Sequence, residues 1–164
     1  MPMHYLRLLI LFFITHVAIA QPDSPALSQD PVFTTILKRR LKFPRQAEWA
    51  SRYNRIFAEF TVDDKGRVQA ISILNHSVEG DYVGFESTII AALKKLPSLN
   101  LRYTGSYILP VAFILVDYRQ KDKQFIPEEK LYVQDLAGRV VLDEIKVFGN
   151  NVNSRERIQS AEAY

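Results

Sequence analysis

The chain has 164 residues, 48% of them hydrophobic and 12% aromatic, enough for one packed domain with an appendage. A formal charge of +3 is too small to argue for a nucleic-acid partner. The absence of cysteine excludes disulfides, Cys-ligated zinc and thiol catalysis.

Residues 8–20, LLILFFITHVAIA, are nearly all apolar, follow Arg7 and end in Ala18-Ile19-Ala20, a small-x-small cleavage site. This is the layout of a secretory signal peptide over residues 1–20, with cleavage predicted after Ala20 and a periplasmic or otherwise exported location. The apolar run is short for a membrane span, which needs about 20 residues. Membrane contact follows only if the segment is retained as an anchor, and His16 would then be an intramembrane, proton-linked candidate.

Residues 21–30, QPDSPALSQD, are polar and rich in Pro and Ser, and read as a linker. A helix is predicted over residues 31–43, with Asp30 as N-cap, Pro31 at the first helical position and a stripe of Val32, Ile36, Leu37 and Leu41. Lys38, Arg39, Arg40 and Lys42 fall in its last turns, where positive charge suits the helix dipole, and with Arg45 they read as a solvated helix end. Pro44 stops the helix. Residues 45–53 read as another helical turn, with Trp49 packing on the sheet.

Residues 56–74, IFAEFTVDDKGRVQAISIL, carry the clearest pattern in the chain. Ile56, Ala58, Phe60 and Val62 alternate with Phe57, Glu59, Thr61 and Asp63, the period of a half-buried strand. Asp63-Asp64-Lys65-Gly66 supplies turn chemistry, so a hairpin is predicted. In the second strand Val68 is out of phase with Ile71 and Ile73, and a bulge near Gln69 and Ala70 would return all three to one face. A loop follows, then an amphipathic helix over residues 82–96 with Phe85, Ile89, Ala92, Leu93 and Leu96 on one face and Pro97 at its end. Residues 107–118, YILPVAFILVDY, read as a third strand. Pro110 cannot donate to a sheet ladder, which predicts an edge at that position.

Strand, strand, helix, strand is thus the expected order, and the fold class is α+β. Phe43-Pro44-x-x-Ala47, FAEFTVDDKGRV, GFESTIIAALKKLP and PVAFILV, taken in that order, resemble the C-terminal domain of the TonB family. The resemblance covers residues 43–116. It implies a β-β-α-β core within a domain over residues 31–118, preceded here by the N-terminal helix. The chain departs from the family pattern in three places. Tyr53-Asn54-Arg55 lacks the glycine before the first strand, Ser98-Leu99-Asn100-Leu101 replaces an aromatic-x-aromatic-x-Pro run, and the long Pro/Lys-rich spacer is absent. Residues 21–30 would reach at most about 35 Å fully extended.

Residues 119–130 are charged and read as a linker. In residues 131–148, Asp135-x-x-Gly138-Arg139-Val140 repeats the turn pattern of Asp63-x-x-Gly66-Arg67-Val68, so an extra hairpin is predicted in a C-terminal extension over residues 119–164. Leu142-Asp143-Glu144-Ile145-Lys146-Val147 also resembles the hydrophobic–acidic TonB-box peptides of outer-membrane receptors. Residues 149–164 are polar and read as a frayed tail or terminal helix.

No residue set points to catalysis, metal or a cofactor. His76, with Ser77 and Glu79 beside it in one loop, does not give a base, a nucleophile and an orienting acid from separate elements. One histidine with scattered carboxylates lacks zinc spacing, and Asp63-Asp64 lacks the acidic repeat of a calcium loop. The expected function is therefore binding: an exported protein-interaction module that takes an extended peptide by strand addition along Tyr107, Ile108, Leu109, Val111, Phe113 and Leu115. The resemblance implies the same strand and names a TonB-dependent outer-membrane receptor peptide as one partner. An anchored energy transducer, and a ligand carrier or enzyme with an unrecognised pocket, are the alternatives. A homodimer is left open, as is an edge already covered by residues 131–148 of the same chain.

Overall fold

The computed structural model describes residues 27–76, 80–117, 119–120, 122–136 and 138–151. The expected signal peptide, most of the linker and the tail beyond Asn151 lie outside the described residues. Within them no helix is long and apolar enough to cross a membrane.

The architecture is α+β, with three α-helices and one six-stranded mixed sheet among the described residues. Helix α1 (Pro31–Arg40) begins as its sequence dictates: Asp30 Oδ1 accepts from the N–H groups of Val32 and Phe33, both at 2.9 Å, with Pro31 at the start. Its buried stripe, however, is Phe33, Leu37 and Leu41, not one that includes Val32, which is 46% exposed. The i, i+4, i+8 set wins because Phe33 stacks on Phe60 of the sheet, ring centroids 6.1 Å apart. Helix α2 (Arg45–Trp49) is a short turn that buries Ala47. Trp49 is half-buried, with the Arg45 guanidinium 5.3 Å from its ring centre.

Strands β1 (Asn54–Val62) and β2 (Val68–Ile73) form the predicted antiparallel hairpin. Asp63 organises its turn: Oδ1 accepts from the N–H groups of Lys65 and Arg67, at 2.9 and 2.8 Å. Gly66 adopts φ +74°, and a Cβ there would meet the Leu99 carbonyl oxygen at 2.1 Å. The turn thus closes onto the segment after the next helix, and Leu99 N–H donates to the Gly66 carbonyl at 2.8 Å. The register shifts between Glu59 and Thr61, opposite Ala70 and Ile71, and Ala70 takes φ 48°. That bulge turns Val68, Ile71 and Ile73 inward while Gln69, Ala70 and Ser72 face water.

Helix α3 (Phe85–Lys94) is shorter than predicted, starting after Gly84 at φ 85°. Asp81 caps it by accepting from the N–H groups of Glu86 and Ser87, at 2.9 and 2.7 Å. Phe85, Ile89, Ala92 and Leu93 are buried and Leu96 is partly buried, as the periodicity requires.

Strand β3 (Gly105–Val116) pairs antiparallel with the whole of β1, from Gly105↔Val62 to Phe113↔Asn54. The first three strands stand in the order β2-β1-β3. The chain then turns into β4 (Gln124–Phe125), antiparallel to Leu115 and Val116 of β3, so the expected linker holds a short strand. Tyr53 stacks on Phe125 at 5.8 Å and fixes β4 beyond the end of β1.

The expected hairpin over residues 131–148 does not form. A 3₁₀ turn at Val133–Leu136 and Gly138 at φ 72° supply the turn chemistry. The strands that follow, β5 (Val140–Val141) and β6 (Ile145–Asn150), do not pair with each other. Both lie parallel to β3, through Tyr107↔Val140, Ile108↔Val141 and Val111↔Ile145 to Val116↔Asn150. A parallel neighbour requires a crossover, and the described residues 126–136 and 138–139 lie along it at the back of the sheet. Arg55 Nη1 donates to the Glu129 carbonyl at 2.9 Å and Arg55 N–H to Glu129 Oε2 at 3.2 Å. Arg139 pairs with Glu59 farther along β1.

Two apolar layers result. In front, α1 and α3 cover Ile56, Ala58, Phe60, Leu109, Val111 and Phe113. Leu142, Ile145 and Val147 of the extension join this layer. At the back, the crossover covers Phe57, Ile108, Ala112 and Ile114, all at most 5% exposed.

Candidate functional site

The six residues assigned to a binding edge are all buried. Tyr107 is 7% exposed, Leu115 1%, and Ile108, Leu109, Val111 and Phe113 are 0%. The strand carrying them has β1 on one side and β5 and β6 on the other, so it is an interior strand. The expected edge is corrected by this topology.

Proline explains how β3 can be interior. Leu142 N–H donates to the Ile108 carbonyl at 2.9 Å and Asn151 N–H to the Val116 carbonyl at 2.8 Å. Even-numbered residues of β3 therefore direct their main chain toward β5 and β6, and Pro110 is among them. Its missing N–H faces the break between those strands. There Leu109 and Pro110 of β3 lie opposite Leu142, Asp143 and Glu144, one residue more on the extension than on β3. Proline thus interrupts the neighbouring strand without leaving the position at the sheet's rim.

Among the described residues the sheet ends at β2, at the two-residue β4 and at the β5–β6 side, and only β2 and β6 are long enough to take an added strand. The edge of β2 is kinked by the bulge at Ala70, which disfavours a straight added strand. The edge of β6 is more regular. Asn151 directs its N–H to β3, and alternation places the main chains of Lys146, Phe148 and Asn150 on the open side. Side chains close both ends of that edge. Asp143 N–H donates to Ser28 Oγ at 2.8 Å, and Asn150 N–H to Glu48 Oε1 at 3.0 Å. Ser51 Oγ donates to Asn151 Oδ1 at 2.7 Å and secures the same end. Lys146 and Phe148 lie between these closures.

A groove of about 590 Å³ runs beside this edge, with α1 as its other wall. Phe33, Leu41 and Phe43 contribute its apolar lining and Lys38 and Lys42 stand on the α1 side. Phe43 lies so close to β6 that a Cβ on Gly149 would sit 2.3 Å from its Cγ. Phe148 is 55% exposed on the strand itself. A second groove, of about 720 Å³, shares Lys42 and Phe43 and continues between α1 and α3, lined by Arg39, Arg40 and Lys95.

The polar groups elsewhere are structural in arrangement. His76 Nδ1 lies 2.8 Å from Glu86 Oε2 of α3, and Ser77 and Glu79 lie outside the described residues. Tyr107 donates to the Tyr103 carbonyl at 2.8 Å, and burial raises the pKa of its phenol. Among the described residues no group of His, Asp and Glu is arranged to hold a metal.

Sequence reasoning missed Phe33, Lys146, Phe148 and Gly149. Phe33 was accessible through its four-residue spacing to Leu37 and Leu41. The others acquire a role only once β6 is placed beside β3. Comparison of the chain with protein-family models, with curated proteins and with solved structures gives no match.

Proposed function

We propose that this is an exported protein-interaction module, similar to the TonB C-terminal domain, that binds an extended peptide by strand addition. The observation that carries the reading is the open edge of β6. Lys146 and Phe148 present main-chain N–H and C=O groups beside a groove of about 590 Å³ with an apolar lining. An extended peptide satisfies such groups with its own backbone and sets alternate side chains into the groove. The strand, strand, helix, strand order and the apolar run before Ala20 support the family and export parts of the reading.

The binding edge is accordingly β6 and not β3. Displacing β5 and β6 to free β3 would uncover Leu142 and Val147, which are 4% and 7% exposed. That exposure makes a detachable blocker the less favourable mechanism.

The test is a titration of isotope-labelled protein with a short capped peptide of alternating valine and threonine. Amide shifts and slowed exchange at Lys146 and Phe148 are the expected result. Perturbations confined to β2, or none at all, would remove the strand-addition reading. Terminal sequencing of the exported protein should give Gln21 first.

A further inference from the structure

Carboxylates are spread unevenly along this chain. Residues 31–47 and 87–116 contain no Asp or Glu, yet they carry eight of the 21 cations. The first stretch is α1 and the turn after it; the second runs from α3 into β3. The sequence shows their cations as two separate runs. The fold sets the ends of α1 and α3 side by side, so that Arg39, Arg40, Lys42 and Lys95 line one cleft of about 720 Å³. All four are exposed, as are their chain neighbours Lys38 and Lys94. Among the described residues none of the six forms an ion pair, and no carboxylate lines the cleft. The C-terminal dipole of each helix opposes this field with about half a negative charge, which is small against six full positive ones. Setting those six aside, the remaining 15 cations in the sequence face 18 carboxylates, so this face sets the sign of the whole protein.

The cleft is not purely cationic. On α1, Val32, Ile36 and Arg40 follow one another at four-residue spacing, with Arg39 alongside. Phe33, Leu37 and Leu41 fill the core, which leaves Val32 46% exposed and Ile36 on the cleft wall beside Ala91 of α3. Apolar side chains a turn or two from cations suit the boundary between lipid headgroups and acyl chains. Arginine forks and lysine ammonium groups both bind phosphate oxygens. A nucleic acid would use the cations but leave Val32 and Ile36 without a partner. It would also find no free ring for base stacking, because Phe43 is packed against Phe85 and Phe113.

We propose that the α1–α3 face docks the protein on a membrane surface rich in anionic phospholipid. Arg39, Arg40, Lys42 and Lys95 hold headgroup phosphates, and Val32 and Ile36 lie toward the acyl boundary. The contact is peripheral, reversible and salt-sensitive. It requires no retained anchor, the route to a membrane that the leading apolar run alone would offer. It rests on α1 and α3 and not on the edge of β6, so it stands or falls apart from the strand-addition reading.

The experiment is cosedimentation of residues 21–164 with vesicles of mixed phosphatidylglycerol and phosphatidylcholine, and with vesicles of phosphatidylcholine alone. The chain should bind the anionic vesicles only. Raising salt from about 0.1 M to about 1 M cuts the screening length from about 10 Å to about 3 Å and should release it. The Arg39→Gln, Arg40→Gln double variant should bind about thirtyfold more weakly. Lys123→Gln with Lys130→Gln removes the same charge before and within the crossover, and should change binding less than about threefold. All four side chains are exposed, so urea midpoints should not move. If either double variant fails to fold, Lys95→Gln and the salt series read the same contact. Equal binding to phosphatidylcholine alone would overturn the proposal in favour of apolar attachment. Equal loss in both double variants would reduce the effect to net charge and overturn it as well. Duplex DNA bound through Arg39 and Arg40, without vesicle binding, would assign the cleft to nucleic acid instead. Binding of neither would leave the cations as solvated helix ends and end the proposal.

Discussion

Phe43 closes on Gly149 so tightly that no side chain fits between them. A Cβ added at Gly149 would lie 2.3 Å from Cγ of the ring and 2.6 Å from both Cδ atoms. The same ring meets Phe85 and Phe113 edge-on, each at 5.8 Å, so it cannot retreat without disturbing the core. Gly149→Ala should destabilise the protein by about 1–3 kcal/mol through overpacking. Urea denaturation checks this, because Gly149 is not among the glycines held at positive φ and its Ala variant therefore reports packing alone. An unchanged midpoint for Gly149→Ala would mean that β6 is not seated against Phe43.

Leu142 tests whether the extension is part of the core. It is 4% exposed and belongs to the same cluster as Phe60 and Leu93. Leu142→Ala should cost about 2–5 kcal/mol. A tail merely resting on the surface would leave the midpoint where it is.

Phe60 and Leu93 share the front layer, each at 0% exposure. Phe60 also stacks on Tyr107, ring centroids 5.6 Å apart. Phe60→Ala should cost about 3–5 kcal/mol and Leu93→Ala about 2–5 kcal/mol. Denaturation midpoints of the two variants measure both.

The crossover is tied to β1 by Arg55 and Arg139. Their pairs with Glu144 and Glu59 are partly exposed, with side-chain exposures between 20% and 28%. Each pair should therefore contribute only about 0.2–1 kcal/mol in a double-mutant cycle, less at high salt. The larger effect of Arg139→Ala should be faster amide exchange at Ile108, whose back-face packing the crossover maintains. Unchanged exchange there would show that apolar contacts alone hold the crossover down.

Asp63 makes the first hairpin pH-dependent. The Arg67 N–H above all, then that of Lys65 and the Arg67 side chain, hold its carboxyl below the usual carboxylate range. A lowered folded-state pKa contributes stability above the unfolded value, about 3.9, that is lost as pH falls through the folded value. The stability difference between the wild type and Asp63→Asn should be constant above about pH 5 and shrink below about pH 4. A difference that stays flat into acid would remove the role assigned to the ionised carboxylate.

Local order was legible in the sequence because local physics sets it. The Asp30 cap, the Asp63–Gly66 turn, the Ala70 bulge and the buried face of α3 each follow from residues a few positions apart. These include the phase slip between Val68 and Ile71 and the spacing of Phe85, Ile89, Ala92 and Leu93. Sheet order is a different matter. An alternating or apolar run specifies a strand and its faces, but not which strand satisfies the main-chain groups along each side. One sign was present: residues 107–116 are apolar on both faces, as suits a strand covered front and back. Pro110 pointed the other way, toward an edge. Only the tertiary structure resolves the two, because the missing N–H faces a break in a parallel neighbour that arrives some thirty residues later along the chain. That long-range pairing moved the candidate site from β3 to β6. By setting α1 beside β6, it also formed a groove between two segments about a hundred residues apart in the chain.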